Sequence, residues 1–364
     1  MPTILITSMG GSGSLNLVDT IRLNDPEGTC RIIGTHFDPF ELAKSDLKDL
    51  YVVPRAKETL AFSQAHASII EQEKVDILIA NSDKEVASFS EHLDLLHCKH
   101  LIPNQQLVEA VQDKYTLHTI LSKHGNPAVK NIPVPSREEL RQAVAEVLTL
   151  CDKFWIRLRD GAGSQGATWM YTSEQAEKWV DLWCELRGMN VADFVLAPFL
   201  PGRDFCVALL FQEGRFSVGK IYERLGYAAA ATSISQMGST PSASRTIAEQ
   251  QPVDTCIAAV RAVCEEYGTT PHGFYQLDMK CDDEGTAYVT EINIGRFPMT
   301  SPQFDRVGKH SMLNLYIDML LDDSTLLPEN EYDFAPGTFI LRAMDLPCTF
   351  VKAERVEEIK KRTV

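Results

Sequence analysis

The chain alternates between two hydrophobic rhythms. Thr3-Ile-Leu-Ile-Thr7, Cys30-Arg-Ile-Ile-Gly34 and Val75-Asp-Ile-Leu-Ile-Ala80 are short apolar runs of the kind that form strands covered on both faces. The stretches between them read as helix. One follows the turn Ser8-Met-Gly-Gly-Ser-Gly-Ser14 and runs to about Leu23, and another, rich in Ala and Gln, precedes Val75. Strand, helix and strand in succession predict a doubly wound parallel sheet, whose ligands lie at the carboxyl ends of its strands. Asn81-Ser-Asp-Lys84 stands at such an end and either meets a substrate or starts a helix capped by Ser82. Leu101-Ile-Pro103 closes this first domain, residues 1–104.

A helical period returns at Asp113–Gly125, where Tyr115, Leu117, Ile120 and Leu121 share a face, and again from about Ser136 to Leu150. Asn131-Ile-Pro-Val-Pro135 between them is extended, because each proline disfavours helix at its predecessor. After a strand at Trp155–Leu158 come a second at Thr168–Tyr171 and a helix ending at Gly188; Phe194–Val207 then reads as strand, hinge and strand. Glu213-Gly214 joins Cys206–Gln212 to Arg215–Glu223 as a hairpin. Residues 226–246 have little period and are expected to form a lid or acceptor-binding loop. A helix follows from about Pro252 to Tyr267. Strands then flank Asp282-Asp-Glu-Gly285, an acidic hairpin turn, since a calcium loop needs longer spacing and flanking helices. The tail holds a helix to about Leu321, a strand near Thr338–Arg342 and a charged end read as a surface helix.

Two of these segments carry chemistry. In Trp155-Ile-Arg-Leu-Arg-Asp-Gly-Ala-Gly-Ser-Gln-Gly166 a strand cation, Arg157, precedes a loop with Gly161, Gly163 and Gly166. Without a Cβ, such a loop can turn backbone N–H groups toward a polyphosphate. In Tyr288-Val-Thr-Glu-Ile-Asn-Ile-Gly-Arg296, Glu291 and Asn293 are one strand period apart and so share a face, with Arg296 beyond. Asp278 ends a similar segment. Two carboxylates and an amide oxygen are hard ligands that suit Mg²⁺, and the arginine can reach a phosphate beside it.

Length and charge narrow the alternatives. A chain of 364 residues is expected to divide into two or three domains. With no long apolar run and no convincing signal peptide, the cytoplasm is the expected compartment, with no membrane partner. A net charge of -15 excludes a general nucleic-acid binder, which needs a basic face. The nine cysteines lack paired spacing, so neither zinc nor disulfides are expected. His97, Cys98 and His100 flank a helix end and read as surface groups. A dinucleotide fingerprint fails because Asn16 stands where the third glycine belongs.

The sequence resembles the ATP-grasp superfamily. Arg157, Leu158, Gly161, Gly163, Ser164 and Gly166 match its phosphate loop, and Asp278, Glu291, Asn293 and Arg296 match its metal pattern. The opening Ile4-Leu-Ile-Thr and its glycine-rich turn look most like the carbamoyl-phosphate-synthase-like branch of single-chain carboxylate–amine ligases. The resemblance implies an α/β and α+β architecture: a doubly wound pre-ATP-grasp domain, then a two-lobed ATP-grasp core divided into 105–198 and 199–364. It implies that Lys114 contacts phosphates, that the hinge at Pro198 to Leu200 holds adenine, and that Asp204 binds ribose, while Lys220, projecting from its strand, reads either as a further phosphate contact or as a sheet-surface lysine. Pro198 replaces the usual acidic residue, so adenine selectivity falls on backbone groups. Gly295 sets Arg296 one residue further from Asn293 than the compact form of the motif does.

The function so implied is ATP-dependent formation of a C–N bond. ATP and Mg²⁺, with Mn²⁺ as an alternative ion, would activate a small carboxylate as an acyl phosphate that an amine attacks, releasing ADP and phosphate. Amino acids are candidate substrates, Arg245 and Arg296 are the candidate catalytic cations, and a homodimer is allowed. The rival readings are a nucleotide-binding sensor without turnover and a carboxylate kinase that uses no amine.

Overall fold

The computed structural model describes residues 2–161, 165–228, 230–236, 238, 240–297, 305–322, 324–343 and 346–354. The expected α/β and α+β architecture is present as three sheets. The first contains β1 (Thr3–Ile6), β2 (Arg31–His36), β3 (Asp49–Val52) and β4 (Ile77–Ile79), all parallel, in the order β3-β2-β1-β4. Between them run α1 (Ser12–Asn24), α2 (Pro39–Leu42) and α3 (Thr59–Glu73), and α4 (Asp83–Ser90) follows β4. All four residues of β1 are buried, as a strand with neighbours on both faces requires. The chain winds outward from β1 to β3 and then returns to β4 on the other side. The crevice between the ends of β1 and β4 is therefore a switch point of the winding, the place where such sheets bind ligands.

Helices α5 (Gln105–Gln112) and α6 (Lys114–Lys123) lead to a second, antiparallel sheet. It contains β5 (Ile132–Pro133), β6 (Phe154–Leu158), β7 (Thr168–Met170) and β8 (Phe194–Pro198) in the order β5-β8-β6-β7. Phe154, Ile156 and Leu158 of β6 pack under α7 (Leu140–Val147) and α8 (Ser173–Arg187). Their neighbours Trp155 and Arg157 consequently face the other way. Gly188 ends α8 at φ 66°, a left-handed cap that glycine adopts without a Cβ penalty.

The third sheet contains β9 (Asp204–Gln212), β10 (Arg215–Tyr227), β11 (Pro241–Thr246), β12 (Gly273–Cys281), β13 (Ala287–Ile294), β14 (Glu331–Tyr332), β15 (Thr338–Ala343) and β16 (Leu346–Lys352). Its order is β13-β12-β9-β10-β11-β15-β16, with β14 beside β10. Glu213 and Gly214 turn the β9–β10 hairpin with φ of 48° and 83°, the two positive values a two-residue hairpin loop needs. Phe205, Val207, Leu209 and Phe211 join one apolar cluster with α9 (Gln250–Glu266). Cys206, Ala208 and Leu210 join another with Ile4 and Ile6 of the first sheet and with α10 (Met312–Leu321). Hydrophobic burial thus locks the first sheet onto the third, and a bridge between Ala80 and Arg296 marks the seam.

Three expectations are corrected. The helix expected from about Ser136 to Leu150 is shorter, Leu140–Val147. The segment 226–246 is loop only in its middle: β10 runs on to Tyr227, and Pro241–Thr246 pairs with both β10 and β15. Backbone ladders hold that strand although its side chains carry no apolar period. The tail has a second strand, β16, beside β15, while the charged end at 355–364 lies outside the described residues. No helix among the described residues is long and apolar enough to cross a membrane.

One buried side chain makes stability sensitive to acid. His66 lies between Phe62 and Phe89, with Nδ1 2.8 Å from the Phe62 carbonyl and Nε2 3.0 Å from the Thr35 hydroxyl. This is the pattern of a neutral ring that donates to the carbonyl and accepts from the hydroxyl. Burial pulls its pKa down to about 4. The unfolded chain binds this proton below about pH 6.5 while the folded one does not, so stability falls as pH drops from there toward 4. The expected loss at pH 4 is about 3 kcal/mol. Denaturant titrations across that range should show it, and His66→Gln should flatten the slope.

Candidate active site

Strands β12 and β13 build one wall of the site. Asp278 stands directly opposite Glu291, and Gln276 opposite Asn293. Facing residues on antiparallel strands have Cβ atoms about 5 Å apart, so four side-chain oxygen donors form a patch on one face. All four line a cleft of about 460 Å³. Burial pushes the Glu291 carboxyl up, with Lys114 opposing the shift and Asp278 adding to it. Among the described residues no three His, Cys, Asp or Glu side chains converge to hold a metal by themselves. The donor set is two carboxylates plus amides.

The smaller sheet supplies the opposite wall. Arg157, half-buried on β6, donates to Asn131 Oδ1 at 3.2 Å, and its buried Nε has no partner among the described residues. Burial lowers its pKa to about 10, with Glu291 acting against the shift, so it stays charged at neutral pH. Asp113 caps α6 by accepting from Thr116 N–H and pairs with Arg159, which pins the helix start beside the loop. From that start Lys114 reaches across to donate to the Gly161 carbonyl at 2.9 Å. A Cβ on Gly161 would come within 3.0 Å of Leu158. Gly166 sits at φ 65° between the lining residues Gln165 and Ala167. Gly163 and Ser164 lie outside the described residues.

At one end the cleft is an apolar slot lined by Trp155, Pro198, Phe199, Leu200 and Met279. Trp155 and Phe199 stack at 5.9 Å. On the sheet nearby, Lys153 Nζ lies 3.7 Å from the Trp169 ring centre and 3.8 Å from that of Phe199. Trp169 Nε1 donates to the Ser235 carbonyl at 2.9 Å, so the loop after β10 touches the smaller sheet.

Asp204, buried on β9, accepts from the Tyr227 hydroxyl and lies 3.5 Å from Arg224 and 3.7 Å from Lys280. Burial raises its pKa, with the two cations opposing. Arg224 also donates to Asp278 at 2.6 Å. Arg296 makes a two-pronged pair with Asp83 of α4, one contact at 2.7 Å, and donates to Asn293 Oδ1. Ser82 caps α4 by accepting from Glu85 N–H, which settles its cap role and presents Asp83 to the cleft. Lys114, Arg157, Arg224, Lys280 and Arg296 face Asp83, Asp204, Asp278 and Glu291 across this lining. The cleft of a chain whose net charge is -15 thus carries an excess of positive charge, as a polyanion site requires.

The structure brings together Lys114, Arg157, Gly161, Pro198, Leu200, Asp204, Asp278, Glu291, Asn293 and Arg296. It takes two expected residues elsewhere. Arg245 is on β11, not in a loop, and donates to Glu223, which also holds Arg203. Lys220 lies four residues before Arg224 on the same strand, about 13 Å along it. There its ammonium donates to the Val307 and His310 carbonyls and pairs with Asp333 at 3.1 Å. Replacing Arg245 by Ala is therefore expected to cost about 1 kcal/mol or less and to leave the KM for nucleotide unchanged, as steady-state assays beside thermal melts would show. Trp155, Arg224, Tyr227, Gln276 and Lys280 line the cleft without having been singled out in the sequence. Gln276 and Lys280 were findable, each one strand period from Asp278.

The fold recurs among solved structures. A biotin carboxylase domain of the 2-oxoglutarate carboxylase from Hydrogenobacter thermophilus, solved with MgADP, ADP and bicarbonate, is similar with a TM-score of 0.71 at 11% identity, over 93% of this chain and 74% of that one. The L-amino acid ligase of Bacillus licheniformis is similar at 0.66 and 13%, over 93% and 79%. The N5-carboxyaminoimidazole synthetase of Staphylococcus aureus gives 0.65 and 12%, over 93% and 82%. The chain has the ATP-grasp fold. No family model matches its sequence, and no curated protein sequence matches it. The residues present fit MgATP on their own chemistry: a guanidinium with a buried, unpaired Nε–H on one wall, and opposed carboxylates with amide oxygens on the other.

Proposed function

We propose that the protein is an ATP-dependent ligase that joins a small carboxylate to an amine and releases ADP and phosphate. The observation that carries the reading is the facing of the Asp278–Glu291–Asn293 patch and the Lys114–Arg157–Gly161 wall across one cleft. Its similarity in fold to an L-amino acid ligase and to carboxylating enzymes supports the same reaction type.

Asp278, Glu291 and Asn293 would hold Mg²⁺, which when bound draws charge off the β- and γ-phosphoryl oxygens. Arg157 and Lys114 neutralise phosphate from the other wall, inside a cleft where burial strengthens each contact. Trp155, Phe199, Leu200 and Met279 sandwich the base, and Asp204 meets the ribose. Arg296 stands at the seam between the third sheet and the switch-point crevice of the first, where the carboxylate and amine would enter. No covalent enzyme nucleophile is needed, because the phosphorylated carboxylate is itself the activated species and phosphate is its leaving group.

ADP release measured over a panel of carboxylic acids, with and without amines, tests this. A ligase needs both partners. Turnover with acid alone would instead indicate a carboxylate kinase, and tight ATP binding with no turnover for any pair a sensor.

A further inference from the structure

Of the two cleft cations to which the proposed chemistry gives no task, Lys280 and Arg224, the latter bridges two of the site's carboxylates. Its side chain is only 10% exposed, and the pairing of β10 with β11 shifts register just after it. A bulge of this kind re-aims the side chains beside it. One Nη donates to Asp278 Oδ1 at 2.6 Å, the other lies 3.5 Å from Asp204 Oδ1, and Nε has no partner among the described residues. Arg224, Asp204 and Lys280 face one another across three adjacent strands. A single guanidinium therefore spans the carboxylate assigned to ribose and a carboxylate assigned to the metal.

Two facing carboxylates on β12 and β13 need positive charge nearby, since burying an uncompensated charge is costly. We infer that Arg224 is the resident counter-ion of Asp278: it competes with a divalent cation for the Asp278 oxygen and keeps Asp204 as its second seat. Nucleotide and metal then bind in a coupled way. A divalent ion alone has to displace the guanidinium, whereas with a nucleotide present the phosphates offer that guanidinium an anion in place of Asp278. Arg224 is thus a positioning residue that suppresses metal binding until the nucleotide arrives. The inference rests on the metal assignment made above and sharpens it.

Titration of the full-length protein with Mn²⁺, followed by the electron spin resonance signal of the free ion, reads this without any turnover. Wild type is expected to bind Mn²⁺ weakly alone and at least tenfold more tightly with ADP. Arg224→Met is expected to bind Mn²⁺ alone at least tenfold more tightly than wild type, and Arg224→Gln serves if the Met variant does not fold. Asp204→Asn is expected to weaken Mn²⁺ binding, because it removes the second seat and leaves the guanidinium on Asp278, an effect that a merely structural ion pair would not produce. If both Arg224 variants bind Mn²⁺ alone no better than wild type while ADP still tightens it, the counter-ion role is overturned and the metal site stands. If wild type binds no Mn²⁺ even with ADP, and Asp278→Asn changes nothing, the metal assignment itself falls.

Discussion

Replacing Glu291 by Gln is expected to lower kcat by roughly 10³-fold while leaving the fold as stable as before, or slightly more so. Removal of one preorganised electrostatic contact to a developing charge typically costs 10²- to 10³-fold, about 3–4 kcal/mol, and a lost metal ligand belongs at the upper end. The stability sign is opposite because Glu291 faces Asp278 across β12 and β13 and its carboxyl is held above its ordinary pKa, first by burial and then by that neighbour. Neutralising it relieves repulsion in the folded state. ADP release together with thermal melts in the absence of metal would check both signs. A large drop in melting temperature would mean that Glu291 is a structural group and not a functional one.

Arg157→Met should raise the KM for ATP by about 10²-fold with a smaller change in kcat, since a ground-state phosphate contact is removed together with part of its transition-state value. The side chain is half-buried on β6, its buried Nε has no partner among the described residues, and its Nη2 donates to Asn131 Oδ1. The methionine fills most of the same volume without the cost of a buried charge, so the folded protein should persist. Arg157→Lys is expected to recover only part of the affinity, because an ammonium cannot reproduce the planar, forked donor geometry. Isothermal titration with a nonhydrolysable ATP analogue separates binding from chemistry. Unchanged affinity in the Met variant would remove Arg157 from the phosphate site.

The residues legible in the sequence are those whose geometry is local. Asp278, Glu291 and Asn293 lie on strands with a period of two, so their common face follows from spacing alone. Arg157 and the glycines after it form one strand-to-loop unit. The β9–β10 hairpin was equally local, since Glu213-Gly214 supplies its own turn conformation. Arg224 had no such signal, and Asp83 was marked only as part of the polar stretch Asn81–Lys84 at a strand's carboxyl end. Arg224 meets Asp278 across 54 residues of chain, and Asp83 meets Arg296 across 213. Lys220 and Arg245, expected at the site, do not line the cleft, for the same reason. A cation on a strand or loop carries no mark of which acid it will face, and Asp333 and Glu223 come to them only through sheet pairing and the return of the tail.

The amino-acid sequence by itself determined the class of most elements, the residue types of the glycine-rich loop and of the Asp278–Glu291–Asn293 patch, and the parallel opening sheet, because period, turn chemistry and donor hardness act within a few residues. Tertiary structure alone decided which charges pair. Strand order places β9 between β10 and β12, so Arg224, Asp204 and Lys280 become neighbours. Apolar burial of the first sheet against the third brings Asp83 onto Arg296. Electrostatic partnership depends on distance in space, and distances between far-separated segments are set by packing of the core.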